Sequence, residues 1–177
     1  KDLLKSIKKH KSFNLKVIVT GAHHNSNFGA TYNEIKKDGF KVIKAPIKLA
    51  KDSKLSLINS MSSCLRIFSA KFKHMNPDVM LIIGDRYESF MGALASYVML
   101  IPIAHISGGE VTEGALDEGF RHSITKMSQV HFTSLEAYRK RVIQLGENPK
   151  NVFNVGEIGL SNFNKIGCYS RKKIEDK

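Results

Sequence analysis

The sequence predicts an α/β fold, with a Rossmann-like parallel sheet and helices on both of its faces. Short runs rich in Val and Ile alternate with longer segments of helical period, as in consecutive βαβ units. Hydrophobic residues make up 42% and charged residues 25% of the 177 residues, which is a usual globular mixture. One domain is the simplest interpretation, because a single core commonly holds about 100 to 200 residues.

Six strands are predicted along the chain. They are Leu15–Thr20, Phe40–Ala45, Val79–Gly84, Ile101–Ile106, Val130–Thr133 and Val152–Val155. The run from Val79 to Ile83 has no polar alternation, which indicates a central strand covered on both faces. Pro77 marks its start, since proline ends the preceding helix.

Six helices fill the rest of the pattern. They are Asp2–Lys9, Tyr32–Lys37, Leu55–His74, Ser89–Val98, Glu118–Met127 and Leu135–Leu145. The first helix precedes every strand, and a basic stretch from Lys165 to Lys177 ends the chain. We therefore expect a domain over residues 1–160 that is truncated at its start, and a basic trailing segment over residues 161–177 that leads toward a missing second domain.

The formal net charge of +12 is compatible with an anionic partner such as nucleic acid. However, the lysines concentrate at the two ends of the chain, and neither a zinc-ligand spacing nor aromatic residues interleaved with the basic ones accompany them. A basic nucleic-acid-binding module is therefore kept only as the alternative from another class, and no nucleic acid is expected as a partner.

Two further features bear on location. The cysteines, Cys64 and Cys168, have no spacing that suggests a disulfide framework, which favours a reducing compartment. No signal peptide opens the chain, and its longest apolar stretch, from Met91 to Ile106, falls short of the roughly 20 residues that a bilayer requires. We expect a cytoplasmic protein without a membrane partner.

In open α/β sheets, ligands bind beyond the carboxyl ends of the strands, so polar residues directly after a strand are candidate site residues. The first group is Asp85 and Arg86. Asp85 is suited to proton transfer or to binding a hydroxyl, and Arg86 to holding it ionised or to meeting a phosphate. A helix N-cap is an equally open interpretation of Asp85.

The second group follows the next strand. His105 ends that strand, Gly108 and Gly109 let the backbone approach a ligand closely, and Glu110 offers a second carboxylate. Paired glycines also occur in plain turns. The position of this group, one βα unit after Asp85, favours a functional role.

The third group opens the next helix. Asp117 and Arg121 are four residues apart, so they share a helix face and are suited to an ion pair aimed into the crevice, although an ordinary surface pair has the same spacing. His122 is either a ligand contact or a core residue. His23 and His24 follow the first strand, but adjacent side chains point in different directions and no third ligand is evident. A binding loop with no metal is expected there.

Four stretches together resemble the hydrolysing UDP-N-acetylglucosamine 2-epimerases of the sialic acid pathway. They are Val19–His23, Gly84–Glu88, Ala104–Gly114 and Asp117–Met127. The similarity continues through residues 142–156, and this length in the expected order makes it specific. The resemblance implies one half of a two-domain enzyme like a glycosyltransferase B, with the active site between the domains. This chain resembles the N-terminal domain without its opening strand.

The resemblance also implies a reaction. UDP-N-acetylglucosamine loses its C2 proton and eliminates UDP to give 2-acetamidoglucal, to which water adds to form N-acetylmannosamine. A UDP-sugar is then the partner, no cofactor is needed, and the complete enzyme is a homodimer. Close alternatives are the relative that acts on UDP-diacetylbacillosamine and the non-hydrolysing UDP-N-acetylglucosamine 2-epimerase.

The resemblance also implies roles for the residues of this chain that match the family's motifs. Asp85, Glu110 and Asp117 are the catalytic candidates. The substrate-binding candidates are His23, Arg86, His105, Gly108, Gly109, Arg121 and His122. Many relatives carry a glutamate where this chain has Ser107, so the carboxylate that removes the C2 proton is left open, and Glu110 is one candidate for it.

The chain by itself is expected to turn over negligible substrate. Proton-transfer groups contribute about 10² to 10⁴ in rate, or roughly 3 to 5 kcal/mol. Loss of the anchor for the diphosphate removes positioning that is worth roughly 7 to 11 kcal/mol. The second loss is larger, so intact carboxylates alone are not expected to sustain the reaction.

Overall fold

The computed structural model describes residues 1–24, 32–47 and 53–160. All six predicted helices are present. They are α1 Asp2–Lys9, α2 Tyr32–Lys37, α3 Lys54–Met75, α4 Tyr87–Val98, α5 Leu116–Met127 and α6 Glu136–Gln144. Short 3-10 turns cover Gly21–His24 and Pro149–Asn151. The predicted trailing segment 161–177 and Cys168 lie outside the described residues.

All six predicted strands are present as well. They are β1 Val17–Thr20, β2 Val42–Ala45, β3 Met80–Ile83, β4 Ile103–Ile106, β5 Val130–Thr133 and β6 Val152–Asn154. Every pairing is parallel, with β1 beside β2 and a second sheet in the order β3-β4-β5-β6. The predicted α/β class with parallel sheets is therefore confirmed. Within the described ranges, no helix is both long and apolar enough to cross a membrane.

Two apolar clusters hold the sheets to the helices. Ile82 and Ile103 pack against Ala93 of α4 and Ile124 of α5. The larger cluster joins α3 and α4 through Cys64, Phe68, Phe72 and Met91, and it includes Ala45 of β2. Burial raises the pKa of the Cys64 thiol to about 12, so this side chain is an inert core residue.

The β3 strand differs from its prediction as a central, doubly covered strand. It pairs only with β4 and forms the edge of the four-stranded sheet, within the part of the chain that the structure describes. Side chains alternate between the faces of a sheet, so Ile82 faces α4 while Ile83 points the other way and is 50% exposed. A wholly apolar run predicts burial, but its place in the sheet depends on which strands pair with it.

The carboxyl ends of β1 and β3 lie close together although no ladder joins them. A Cβ built on Gly21, directly after β1, would lie 2.4 Å from Oε1 of Glu88 in the first turn of α4. Parallel strands have their carboxyl ends at one edge, so the loops after β1, β3, β4 and β5 share that edge of the molecule.

Candidate active site

The guanidinium of Arg121, on α5, is the centre of the strand-end cluster. Its Nη2 donates to the Asp85 carboxylate and to Thr112 Oγ1 at 2.9 Å, and its Nη1 donates to the Glu110 carbonyl at 2.8 Å and to Glu118 Oε2 at 3.0 Å. The side chain is only 5% exposed. Four of its five N–H groups are therefore used within the protein, and they join the β3 and β4 loops to α5.

Asp85 occupies the end of β3 as an ion-paired residue rather than as a helix cap. The N-cap of α4 is Arg86, which makes no capping side-chain bond, and the Asp85 carboxylate accepts from Arg121 instead. Its Oδ1 accepts no hydrogen bond from the described residues, and the side chain is partly exposed. One carboxylate oxygen is thus held in place while the other is open to a ligand.

Asp117 lies near this pair without joining it. The predicted Asp117–Arg121 ion pair is wrong, because the Arg121 guanidinium pairs with Asp85 and Glu118 instead. Asp117 is one residue into α5 and its pKa is raised, first by burial and next by the negative charge of Asp85, while Arg86 opposes the shift. An acid whose pKa is raised holds its proton more readily, which suits a proton donor.

Glu110 follows β4 and is tied to the end of β5. Its Oε1 accepts a hydrogen bond from Ser134 Oγ at 2.8 Å, while its own carbonyl accepts from Arg121. The three predicted carboxylates are therefore brought to one edge of the sheet, but Glu110 is directed toward Ser134 and Asp85 toward Arg121.

Arg86 pairs with Glu88 rather than with Asp85. Its Nε and Nη2 donate to the two carboxylate oxygens of Glu88 at 3.2 and 3.3 Å. The Arg86 side chain is 61% exposed, whereas Glu88 is buried. Arg121 therefore pairs with Asp85, in the role predicted for Arg86. The exposed guanidinium of Arg86 faces solvent.

Comparison with known proteins fixes the family. A family model described as UDP-N-acetylglucosamine 2-epimerase matches residues 5–177. The chain belongs to the UDP-N-acetylglucosamine 2-epimerase family. The GDP/UDP-N,N'-diacetylbacillosamine 2-epimerase (hydrolyzing) of Campylobacter jejuni is 44% identical over 99% of this chain and 46% of its own length.

Two more family members extend the comparison. The polysialic acid biosynthesis protein P7 of Escherichia coli is 41% identical over 98% of this chain and 44% of its length. The crystal structure of the Neisseria meningitidis UDP-GlcNAc 2-epimerase bound to UDP-GlcNAc has the same fold, with a TM-score of 0.76 at 21% identity over 88% of this chain and 42% of the other. The chain thus spans a little under half the length of each of these three relatives.

Three residues that were predicted to contact the substrate are buried in this member of the epimerase family. His105 has no exposed surface, so its side chain cannot contact a ligand in this structure. Gly108 and Gly109 are buried too: a Cβ on Gly108 would lie 3.1 Å from His105 Nδ1, and one on Gly109 would lie 2.4 Å from the Tyr138 carbonyl. The paired glycines allow close approach, but the partner is the protein rather than a ligand.

The other predicted contacts lie nearer to solvent. His23 is exposed on the 3-10 turn after β1. His122 is partly exposed on α5, and its Nε2 lies 3.1 Å from Glu118 Oε1. Among the described residues, no three His, Cys, Asp or Glu side chains are grouped closely enough to hold a metal ion.

Sequence reasoning missed Glu88 and Glu118. Glu88 lies in the first turn of α4 and contacts the turn after β1, and Glu118 accepts from Arg121 and from the Thr112 N–H at 2.7 Å. The accepted N–H lowers the pKa of Glu118, so it stays ionised beside Arg121. Both acids lie in the first turn of a helix after a predicted strand, which is the signal that could have found them.

Proposed function

We propose that this chain is the N-terminal part of a hydrolysing epimerase that acts on a UDP-linked 2-acetamido sugar. Its best-supported substrate from the sequence is UDP-N-acetylglucosamine, which would give N-acetylmannosamine and UDP. The observation that carries the proposal is the pairing of two acids of different character at one strand edge: Asp85 in an ion pair with Arg121, and Asp117 beside it with a raised pKa.

This arrangement suits an elimination. Removal of a weakly acidic C–H needs a carboxylate base, and departure of a diphosphate needs a proton donor or a cation. Asp85, with a free Oδ1, serves as the base, and Asp117 serves as the acid. Two neighbouring acids in different environments, one ion-paired and one with a raised pKa, suit such a division of roles.

The exposed residues at this edge complete the proposed site. In this proposal Arg86 and His23, which are both exposed, contact the UDP-sugar, while Glu110 orients the loop after β4 through its hydrogen bond with Ser134. Water then adds to the 2-acetamidoglucal intermediate. The remaining groups that hold UDP belong to the second domain of the full-length enzyme, which also forms a homodimer in this proposal.

A second substrate is favoured by the relatives. The 44% identical Campylobacter jejuni epimerase is named for diacetylbacillosamine linked to GDP or UDP, so UDP-diacetylbacillosamine is the second candidate. The chemistry at C1 and C2 is the same for both sugars. The ratio of kcat/KM for the two substrates in a full-length enzyme that carries this chain decides between them.

The mechanism is tested in D₂O with that full-length enzyme. We expect release of UDP together with a free sugar that carries deuterium at C2, as seen by NMR. Asp85→Asn and Asp117→Asn should each lower kcat by about 10² to 10⁴, and Ser123→Ala, on the exposed side of α5, serves as the control. A product that keeps UDP attached identifies a non-hydrolysing epimerase, and unchanged kinetics in both variants refutes the assigned roles.

The chain of 177 residues taken alone is expected to release no detectable UDP, because the groups that anchor the diphosphate lie elsewhere in this proposal. Measurable turnover by the purified chain contradicts the proposal that the second domain holds the diphosphate.

A further inference from the structure

The buried imidazole of His105 joins the two elements that carry the Asp85–Arg121 ion pair. Its Nε2 lies 3.0 Å from the carbonyl oxygen of Gly84, the residue before Asp85. Its Nδ1 lies 3.3 Å from Thr125 Oγ1 on α5, one turn after Arg121. The Thr125 hydroxyl in turn lies 3.1 Å from the Arg121 carbonyl.

The contacts place a hydrogen on Nε2, and the burial of the ring favours its neutral form. A carbonyl oxygen only accepts, so Nε2 carries the hydrogen and donates to Gly84. A neutral imidazole has one N–H, which leaves Nδ1 as an acceptor, and the single hydroxyl hydrogen of Thr125 is then shared between Nδ1 and the Arg121 carbonyl. Burial lowers the pKa of His105 to about 4, in agreement with a neutral ring.

The space around the ring is filled. A Cβ on Gly108 would lie 3.1 Å from both His105 Nδ1 and Thr125 Oγ1, so glycine at 108 lets the chain pass over this hydrogen bond. Gly84 has a φ of +78°, and its N–H donates to the Ile106 carbonyl at 3.2 Å. Both polar groups of Gly84 are thus bonded to β4, one to its backbone and one to His105.

We propose that His105 is a positioning residue for the epimerase reaction: its neutral Nε2–H form holds the Gly84 carbonyl and the Thr125 hydroxyl at once, and so fixes the spacing between Asp85 and Arg121. This inference rests on the proposed function for its kinetic consequence. The ring touches no substrate, and it acts through the residue before Asp85 and through α5.

The kinetic test uses the full-length enzyme that carries this chain. A displacement of about 1 Å at a catalytic group costs about 10²-fold in rate. We therefore expect His105→Leu to lower kcat about 10²-fold while KM stays within about threefold. His105→Gln, whose amide can replace the Nε2–H donor, should recover at least tenfold of that loss.

Thr125 supplies the matched pair for the other side of the ring. Thr125→Val removes the hydroxyl at nearly constant volume and should lower kcat about tenfold, because Nδ1 loses its donor. Thr125→Ser keeps the hydroxyl and should restore most of the activity. A Thr125→Val enzyme that folds and retains wild-type kcat overturns the proposal, as does equal loss in His105→Leu and His105→Gln.

A measurement independent of activity separates this inference from the proposed function. Long-range ¹H–¹⁵N NMR spectra of the full-length protein at pH 7 should show the Nε2–H tautomer for His105 and a changed Nδ1 shift in Thr125→Val. A charged ring or the Nδ1–H tautomer overturns the inference even if the enzyme is active. Absence of UDP release from either sugar, with the Nε2–H tautomer present, refutes the proposed function instead.

Discussion

The β1–β2 pair and the β3–β6 sheet bring loops to the same edge of the molecule, but they secure these loops differently. At Gly21, in the turn after β1, the nearest neighbour of an added Cβ would be the end of a side chain, Glu88. The loop after β4 is held by Arg121 and by Arg141, both of which donate to its backbone carbonyls, and by Ser134. The proposed catalytic carboxylates lie on the more constrained side.

This difference matters for chemistry. A proton-transfer group works only within a narrow range of positions, and buried hydrogen bonds to backbone hold it there. A turn that contacts a flexible side chain can adjust at lower cost. We therefore expect changes in the β3–β6 region to be more damaging than equivalent changes near β1.

The largest expected effect comes from Arg121→Met. Loss of the guanidinium leaves Asp85 and Glu118 without their partner, and breaking a buried ion pair costs about 3 to 5 kcal/mol in the free energy of unfolding. Urea denaturation measures it. Arg139→Met is the control, since its pair with Glu136 is half-exposed and its Nε makes one hydrogen bond, to the Val152 carbonyl, so we expect a smaller loss of about 1 to 2 kcal/mol. Equal losses in the two variants refute the central place given to Arg121.

The next effect concerns pH. The pKa of His105 is lowered to about 4 by burial, with His131 and Arg121 lowering it further and the Gly84 carbonyl and Asp85 opposing them. Between pH 6.5 and 4 the unfolded chain binds the proton and the folded one does not. Stability is therefore complete above about pH 6.5 and falls by about 3 kcal/mol toward pH 4.

Unfolding free energies measured over this pH range test the assignment. His105→Gln should flatten the pH dependence, leaving the smaller contribution of His131, whose pKa burial also lowers. A slope that survives His105→Gln in full contradicts the assignment.

A pair of glycines tests the comparison directly. Gly109 and Gly21 both have positive φ, and a Cβ on either would lie 2.4 Å from its nearest neighbour. For Gly109 that neighbour is the Tyr138 backbone, whereas for Gly21 it is the carboxylate of Glu88. Gly109→Ala should cost about 2 to 3 kcal/mol and Gly21→Ala about 1 kcal/mol. The opposite order in thermal or urea unfolding would reverse our ranking of the two regions.

The smallest effect is expected at the β3 edge. Ile83 and Ile106 are register partners on the same face, but Ile83 is half exposed and Ile106 is buried. Ile83→Thr should cost less than about 1 kcal/mol, and Ile106→Thr about 2 to 4 kcal/mol. If the two costs become equal in the full-length protein, another segment covers Ile83 there.

The helices and strands were predictable because each follows from local pattern. β5, α1 and α2 agree with the prediction residue for residue, and the others differ by one or two residues at their ends. The position of β3 at a sheet edge was not predictable, since an apolar run reports burial in general rather than the identity of its neighbours.

The site was predictable in its location but less so in its pairings. Asp85, Glu110 and Asp117 share one edge because strand ends share it. The partner of Arg121 is 36 positions away, so helix spacing pointed to Asp117 instead. His105 and the glycines were assigned to ligand contact because sequence cannot tell whether a close approach is made to substrate or to a neighbouring helix.

The hydrogen bonds of Arg121 also divide the site into invariant and adaptable positions for evolution. Any replacement at 85, 112 or 118 that removes an acceptor leaves a guanidinium hydrogen without a partner inside the protein. The exposed Glu113, by contrast, accepts none of these bonds and can be replaced at low cost, whereas Gly114 has a φ of +76° that favours glycine. New sugar preferences would therefore arise in such outer loop positions, while the charged framework beneath them stays the same.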